Sequence, residues 1–277
     1  MKLQPKKSLG QHFLNSKHVL EQIISAANIQ KGENVLEIGP GTGVLTRALL
    51  TAGANVVAIE KDRRTIDMVE QDFFNEIKDG KLKIIYGDIL DPNILEKLGL
   101  DLNTKSREIR PQFFSSYSIV ANIPYYITGA ILEKFLEHEP RPNRMIILAQ
   151  KEVAERIVAR NGKESVLSIS VKAFGTPKII ANVPPGAFTP PPTVDSAILS
   201  ISDISDAQFV TKNPDITTFF KVLKAGFAHK RKFAVRNLET VVTKEKLEDA
   251  WKKIGLDLKI RAENITTSQW LEIVKLI

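Results

Sequence analysis

Asn34-Val-Leu-Glu-Ile-Gly-Pro-Gly-Thr-Gly43 is the stretch on which the fold turns. Asn34–Glu37 reads as a short buried strand, Glu37–Gly43 as a tight glycine-rich turn, and Val44–Leu50 as the helix that the turn opens. Residues without Cβ let the backbone pass close to a ligand, and the helix start offers unpaired N–H groups. The same alternation continues downstream. Asn55–Glu60, Leu82–Tyr86, Ser118–Asn122 and Met145–Ala149 read as strands; Arg63–Ile77, Ile131–Leu136 and Glu152–Ala159 read as helices. Near-continuous apolar strands alternating with helices predict an α/β fold, a doubly wound parallel sheet covered on both faces.

The pattern changes after residue 160. Ser165–Ala173 still reads as a helix, and Lys178–Val183 and Ala197–Ile201 then read as strands, predicting an antiparallel hairpin that closes the sheet. Between them lies the stiff loop Pro184-Pro-Gly-Ala-Phe-Thr-Pro-Pro-Pro192. From Asp215 only helical patterns remain, around Ile216–Ala228, Lys244–Ile254 and Gln269–Leu276, the last with capping-box spacing at Thr266 and Gln269. The predicted domains are therefore 1–204 and a small all-helical 205–277.

Composition narrows the function. The 277 residues are 43% hydrophobic and 26% charged, which excludes intrinsic disorder and low-complexity fibres. No apolar run approaches the roughly 20 residues of a membrane span, and no apolar stretch follows the basic start Met1–Lys7. A cytoplasmic protein is expected. Cysteine is absent, so thiolate catalysis and Cys-ligated zinc are excluded, and four scattered histidines show no metal-binding pairing. Residues 1–204 carry 25 basic and 23 acidic side chains, against 14 and 9 in residues 205–277. A basic appendage on a near-neutral body suggests a polyanion such as nucleic acid, and on charge alone a solvated basic face is an equal reading. Lys224, Lys230, Arg231, Lys232 and Arg236 form its densest segment, with no acidic residue inside, spread as a broad patch if the segment is helical. Lys2, Lys6 and Lys7 extend the same field.

Two carboxylates give the glycine turn a meaning. Glu60 ends the second strand, 21 residues after Gly39, where it can accept both hydroxyl hydrogens of a ribose. Asp88 ends the third strand, where a carboxylate can accept from an adenine amino group. Gly39, Gly41, Glu60 and Asp88 thus describe an adenosine site along the carboxyl edge of the sheet. The dinucleotide fingerprint needs glycine at 44, where this chain has Val44. The spacing suits S-adenosylmethionine better than NAD without deciding between them.

Asn122-Ile-Pro-Tyr125 ends the fourth strand. The exocyclic amine of adenine is a poor nucleophile because its lone pair is delocalised into the ring. Asn122 Oδ1 and the Ile123 carbonyl can accept its two hydrogens together, which frees the lone pair to attack a sulfonium methyl. Pro124 stiffens the turn and Tyr125 offers a stacking face for an extruded base. Phe188 in the proline-rich loop reads equally as a second stacking aromatic and as the loop's hydrophobic anchor.

Several blocks together resemble one family. They are Lys7-Ser-Leu-Gly-Gln11-His12-Phe13-Leu14, Glu37–Gly43, Asn122–Tyr125, Gln150–Arg156, Phe188–Ala197, Phe227–Lys232 with Arg236-Asn-Leu, and Arg261-Ala-Glu-Asn264. In this order they resemble the KsgA-type ribosomal RNA adenine dimethyltransferases, over nearly the whole chain. The resemblance implies a Rossmann-like class I methyltransferase that uses S-adenosylmethionine without a metal. It also implies two methylations at N6 of each of two adjacent adenosines near the 3′ end of small-subunit ribosomal RNA, with that RNA or a pre-30S particle as partner of a monomer. Carried over by residue, the cofactor contacts fall on His12, Leu14, Gly39, Glu60, Asp88 and Asn122. The local pattern alone does not pick out His12 or Leu14.

Two departures stand out. The family usually has Asn at the place of His12, and two arginines before a lysine where this chain has Lys230-Arg231-Lys232. Charge is retained in the second. Asp91–Ser116 is polar, looks longer than usual for the family and reads as a surface loop. Alternatives are a large-subunit ribosomal RNA methyltransferase of the antibiotic-resistance type, disfavoured by Glu37–Gly41, Val194–Ser196 and Arg261–Glu263, and a ribosome-assembly factor acting mainly by binding. A DNA adenine methyltransferase lacks its large target-recognition domain here. A dehydrogenase is disfavoured by Val44 and by the want of a placed proton-transfer residue.

Overall fold

The computed structural model describes residues 5–6, 10–97, 112–209 and 214–277. Lys2, Lys7 and the centre of the polar loop read at 91–116 lie outside the described residues. The chain divides into two compact units, Met1–Ala154 with Lys178–Ile204, and Glu155–Pro177 with Ser205–Ile277.

The first unit is built on a seven-stranded sheet: β1 (Asn34–Ile38), β2 (Asn55–Glu60), β3 (Leu82–Tyr86), β4 (Ser118–Asn122), β5 (Met145–Gln150), β6 (Thr176–Val183) and β7 (Ser196–Ser202). Their spatial order is β3-β2-β1-β4-β5-β7-β6. The first five pair in parallel, Leu36 lying opposite both Val57 and Ile119. Continuous burial of Val35, Leu36, Glu37 and Ile38 follows from helices covering both faces of β1. On one face Val19, Ile23 and Ala27 of helix Lys17–Ala27, with Leu45 and Leu49 of helix Val44–Thr51, join Val35, Val56 and Val120 in a hydrophobic cluster.

Because parallel order reverses between β1 and β4, the carboxyl ends of β1, β2, β3 and β4 open onto one edge. β7 runs antiparallel to β5, Gln150 facing Ser196, and brings the chain back to that edge. The two strands expected after residue 175 are neighbours, with β6 outermost and alternately exposed, as an edge strand should be. A separate two-stranded ribbon pairs Phe13–Leu14 with Phe188–Thr189.

One expected helix is two. Arg63–Asp72 and Phe74–Lys78 are separated at Phe73, whose ring is buried against Gly43; a Cβ on that glycine would stand 2.7 Å from the ring.

The second unit is all-helical in its C-terminal stretch, with Ile216–Gly226, Ala234–Leu238, Lys244–Ile254 and Thr267–Leu276. The predicted capping box at Thr266 and Gln269 is present. The predicted single boundary at 204 differs from the observed division, because Glu155–Pro177 groups with the C-terminal part. Phe174 packs on Phe209 and Phe220 at ring-centre distances of 5.1 and 6.2 Å, and Lys163 pairs with Glu263 at 2.8 Å. Glu263 belongs to the Arg261-Ala-Glu-Asn block, and its backbone carbonyl accepts from the Glu164 N–H.

The basic segment is not one helix. Helix Ile216–Gly226 stops where Trp270 lies over Gly226, and 227–233 form a turn. Asn237 holds that turn by donating to the carbonyls of Gly226 and His229 at 2.6 and 3.2 Å. Lys224, Lys230, Arg231, Lys232 and Arg236 are all exposed. Arg236 pairs with Glu239, and Lys224 sits 5.9 Å from the Phe220 ring centre.

Candidate active site

One pocket of the first unit gathers the strand-end residues, and every cofactor-contact residue expected above lines it, as do Ile123, Pro124 and Tyr125. Gly39 sits at φ +72°, a conformation that strains any L side chain, with its Cα side facing the Asn122 carbonyl. Glu60 is buried. Its Oε2 accepts from the Gly41 N–H at 3.2 Å, and its Oε1 accepts from Lys61 and Asp62 N–H at 2.7 and 2.8 Å. Burial pushes its pKa up, and those three N–H groups only partly oppose the push.

Asp88 is held differently. Lys61 Nζ donates to Oδ2 at 2.6 Å and the Leu90 N–H to Oδ1 at 3.0 Å. Burial works against its ionisation, but these two donors and the charges of Lys61 and Lys134 hold it below the usual carboxylate range. The site therefore keeps an anionic acceptor at the end of β3. Beneath the turn, Glu37 is fully buried; its Oε2 accepts from Thr46 Oγ1 at 2.7 Å, and its Oε1 finds no partner among the described residues. Burial, with a smaller push from the Glu60 charge and against the Thr46 hydroxyl, raises its pKa to about 8.

The Asn122 side chain is oriented by the N-terminal arm. Its Nδ2 donates to the His12 carbonyl at 3.2 Å, which leaves Oδ1 as the acceptor. His12 Nδ1 donates to the Pro190 carbonyl at 2.8 Å, and the imidazole lies nearly parallel to the Tyr125 ring with centres 6.0 Å apart. The Tyr125 hydroxyl is hydrogen-bonded to Ser196 Oγ, and burial raises the phenol's pKa against that bond. Leu14, buried, contributes apolar wall.

Phe188 is placed otherwise. It is 2% exposed, packs in the hydrophobic cluster, pairs with Leu14 and does not line the pocket. This placement fits the anchor of its two readings: strand pairing turns the ring into the core.

Sequence reasoning missed two supports. Gln11 Nε2 donates to Asp62 Oδ2 at 3.0 Å, tying the arm to the start of helix Arg63–Asp72, while Arg64 holds the same carboxylate at 2.6 Å. Ser196 braces Tyr125 across 71 residues. Both belong to blocks that carried the resemblance, but only the folded chain shows the contact. Ser196→Ala is expected to leave a half-buried phenol unpaired, costing about 1–3 kcal/mol of stability and several-fold in turnover. Urea melts and steady-state rates test it; a variant native in both would show that Tyr125 needs no brace.

The sheet order and a pocket with acidic residues at two successive strand ends define a class I methyltransferase. More narrowly, residues 2–277 match the model of the ribosomal RNA adenine dimethylase family, and the chain belongs to that family. A relative from Dehalococcoides mccartyi (strain CBDB1), ribosomal RNA small subunit methyltransferase A, is 37% identical over 97% of this chain and 87% of its own. The protein of the same name from Nostoc sp. (strain PCC 7120) is 35% identical over 99% of this chain and 98% of its own. Among solved structures, a dimethyladenosine transferase from Plasmodium falciparum superposes with a TM-score of 0.74 at 28% identity, over 95% of this chain and 96% of that one. The 23S ribosomal RNA methyltransferase ErmE, at 21% identity and a TM-score of 0.68 over 95% of this chain and 98% of its own, shares the fold. No helix among the described residues is long and apolar enough to cross a membrane.

Proposed function

We propose that this protein transfers methyl groups from S-adenosylmethionine to N6 of two adjacent adenosines near the 3′ end of small-subunit (16S) ribosomal RNA, giving N6,N6-dimethyladenosine. The observation that carries the chemistry is the Asn122 amide, whose NH₂ is committed to the His12 carbonyl and whose oxygen is left to accept. The small-subunit choice is supported by the names of the relatives at 35–37% identity.

The residues fit the methyl donor. A backbone that passes the pocket without a Cβ at Gly39, a carboxylate at the end of β2 for ribose hydroxyls and an ionised one at the end of β3 for an adenine amine suit an adenosyl group that carries no phosphate. When bound, S-adenosylmethionine supplies an electrophilic sulfonium methyl. His12 and Leu14 close the pocket from the arm. Asn122 Oδ1 and the Ile123 carbonyl accept the two hydrogens of the target amine and draw its nitrogen toward tetrahedral geometry. Pro124 fixes the turn, and Tyr125, braced by Ser196, presents its face to the base. Catalysis is then positioning plus electrostatics, with no metal in the mechanism.

The exposed cations Lys224, Lys230, Arg231, Lys232 and Arg236 contact phosphates and orient the RNA rather than read bases. Replacing Lys230 and Arg231 together by alanine should lower the slope of log affinity against log salt by about 1–2 units while leaving cofactor affinity at its native value. Filter binding across a salt series measures the slope, and an unchanged slope removes these residues from the interface. One chain supplies the whole pocket, so the protein works as a monomer, in the cytoplasm where small subunits are assembled. Binding the pre-30S particle gives it a second role in subunit biogenesis.

The test is methyl transfer from labelled S-adenosylmethionine to unmodified small-subunit particles and, separately, to large-subunit RNA, with nucleosides identified by mass. N6,N6-dimethyladenosine from the small subunit alone is the expected result. Label in the large-subunit RNA instead would reassign the substrate, and label in neither would leave binding as the principal role.

A further inference from the structure

Tyr126 follows Tyr125 in the short 3-10 turn Tyr125–Ile127 and lines the same pocket, yet it is 69% exposed. A lone exposed aromatic needs no explanation. This one lies beside the arm and the turn: a Cβ built on Gly10 would stand 3.5 Å from Tyr126 Cε1 and 3.6 Å from Pro124 Cβ. Lys61 lines the same pocket, with its Nζ held by Asp88 at 2.6 Å.

A strand whose base has been extruded into the pocket exposes the neighbouring base. That neighbour has lost a stacking partner, a cost of a few kcal/mol that an aromatic side chain at the mouth offsets. Stacking uses the π-face, so such a surface takes adenine with or without methyl groups on N6.

We propose that Tyr126 is a stacking platform for the nucleobase adjoining the target adenosine. The inference rests on the reading of the substrate as two adjacent adenosines. With one adenosine in the pocket, the base on one side of it lies on Tyr126, and a step of one nucleotide carries that base into the pocket.

The experiment crosses two changes. Native protein and Tyr126→Ala are assayed on small-subunit particles with the natural RNA and on particles carrying an abasic nucleotide on either side of the target. Expected are a rise of about tenfold in KM for the particle with Tyr126→Ala, an unchanged Kd for S-adenosylmethionine, and recovery with Tyr126→Trp. One of the two abasic substrates should raise the native KM to the same degree and abolish the difference between native and variant. An unchanged KM, a difference that persists on both abasic substrates, or an equal loss of cofactor affinity would each overturn the platform, the last making Tyr126 a cover for the cofactor. Failure of the substrate reading itself is separate, because native protein would then give no dimethyladenosine on the natural particle.

Discussion

Asn122→Ala is expected to lower methyl transfer by about 10²–10³-fold, the range for removing one preorganised hydrogen-bonding group from a polar transition state. That corresponds to about 3–4 kcal/mol. The loss should fall on kcat, because the amide oxygen acts on the amine as its geometry changes and contributes little to ground-state binding of the RNA. A second, smaller effect follows from the lost bond to the His12 carbonyl. Freed from it, the arm covers the pocket less well, and cofactor affinity should drop a few-fold in calorimetry. Binding to pre-30S particles should be nearly native, since phosphate contacts lie elsewhere in the chain. A variant with native kcat would remove Asn122 from the chemistry. Growth defects that appear only when the whole protein is absent would make binding the major role.

The second large effect is on stability. The Glu37 carboxyl is raised from its ordinary 4.5 to about 8 in the folded protein. Below pH 4.5 it is protonated in both states and its contribution is fully present. Between 4.5 and 8 the unfolded chain has lost that proton while the folded chain keeps it, so stability falls as pH rises. The slope from this one group is about 1.4 kcal/mol per pH unit, and above pH 8 the contribution is gone. Glu37→Gln keeps an oxygen for the Thr46 hydroxyl and has no proton to lose, so the slope should vanish. Urea melts of both proteins at pH 5, 6, 7 and 8 should therefore diverge, by about 4 kcal/mol at the alkaline end. Parallel curves would show that Glu37 is ionised in the fold, with an unseen partner for Oε1.

Much of this was legible before folding, for a definite reason. Strands buried on both faces read as unbroken apolar runs, as β1, β2, β4 and β5 do, and all five parallel strands from Asn34 to Gln150 lie within one residue of the expected ends. The convergence of the glycine turn, Glu60, Asp88 and Asn122 on one pocket is legible because each sits at a strand end, and strand ends converge in a doubly wound sheet whatever the loops do. Contacts across long separations were not legible. Nothing local marks Ser196 as the brace of Tyr125, or Gln11 as the tether to Asp62. The helix from Arg63 was read through Phe73 because the apolar period continues across it, while packing against Gly43 bends the chain there. Composition allows the basic segment to be one helix, but the helix ends at Gly226 and 227–233 form a turn that Asn237 holds. Glu155–Pro177 continued the strand–helix rhythm, so its aromatic allegiance to Phe209 and Phe220 was hidden.

The ribbon of Phe13–Leu14 with Phe188–Thr189 sets a clock on the newborn chain. Asn15 Nδ2 reaches Thr189 Oγ1 across 174 residues, so the arm has no ribbon partner until that distant loop has left the ribosome. Contacts of such separation are the slowest to form. At a synthesis rate of about 5–20 residues per second, the arm waits roughly ten seconds or more for its partner. During that interval the glycine turn and the carboxylates of β2 and β3 can already be in place while the wall carrying His12 and Leu14 is not. The wall carrying His12 and Leu14 is thus completed late, after all five parallel strands have been made.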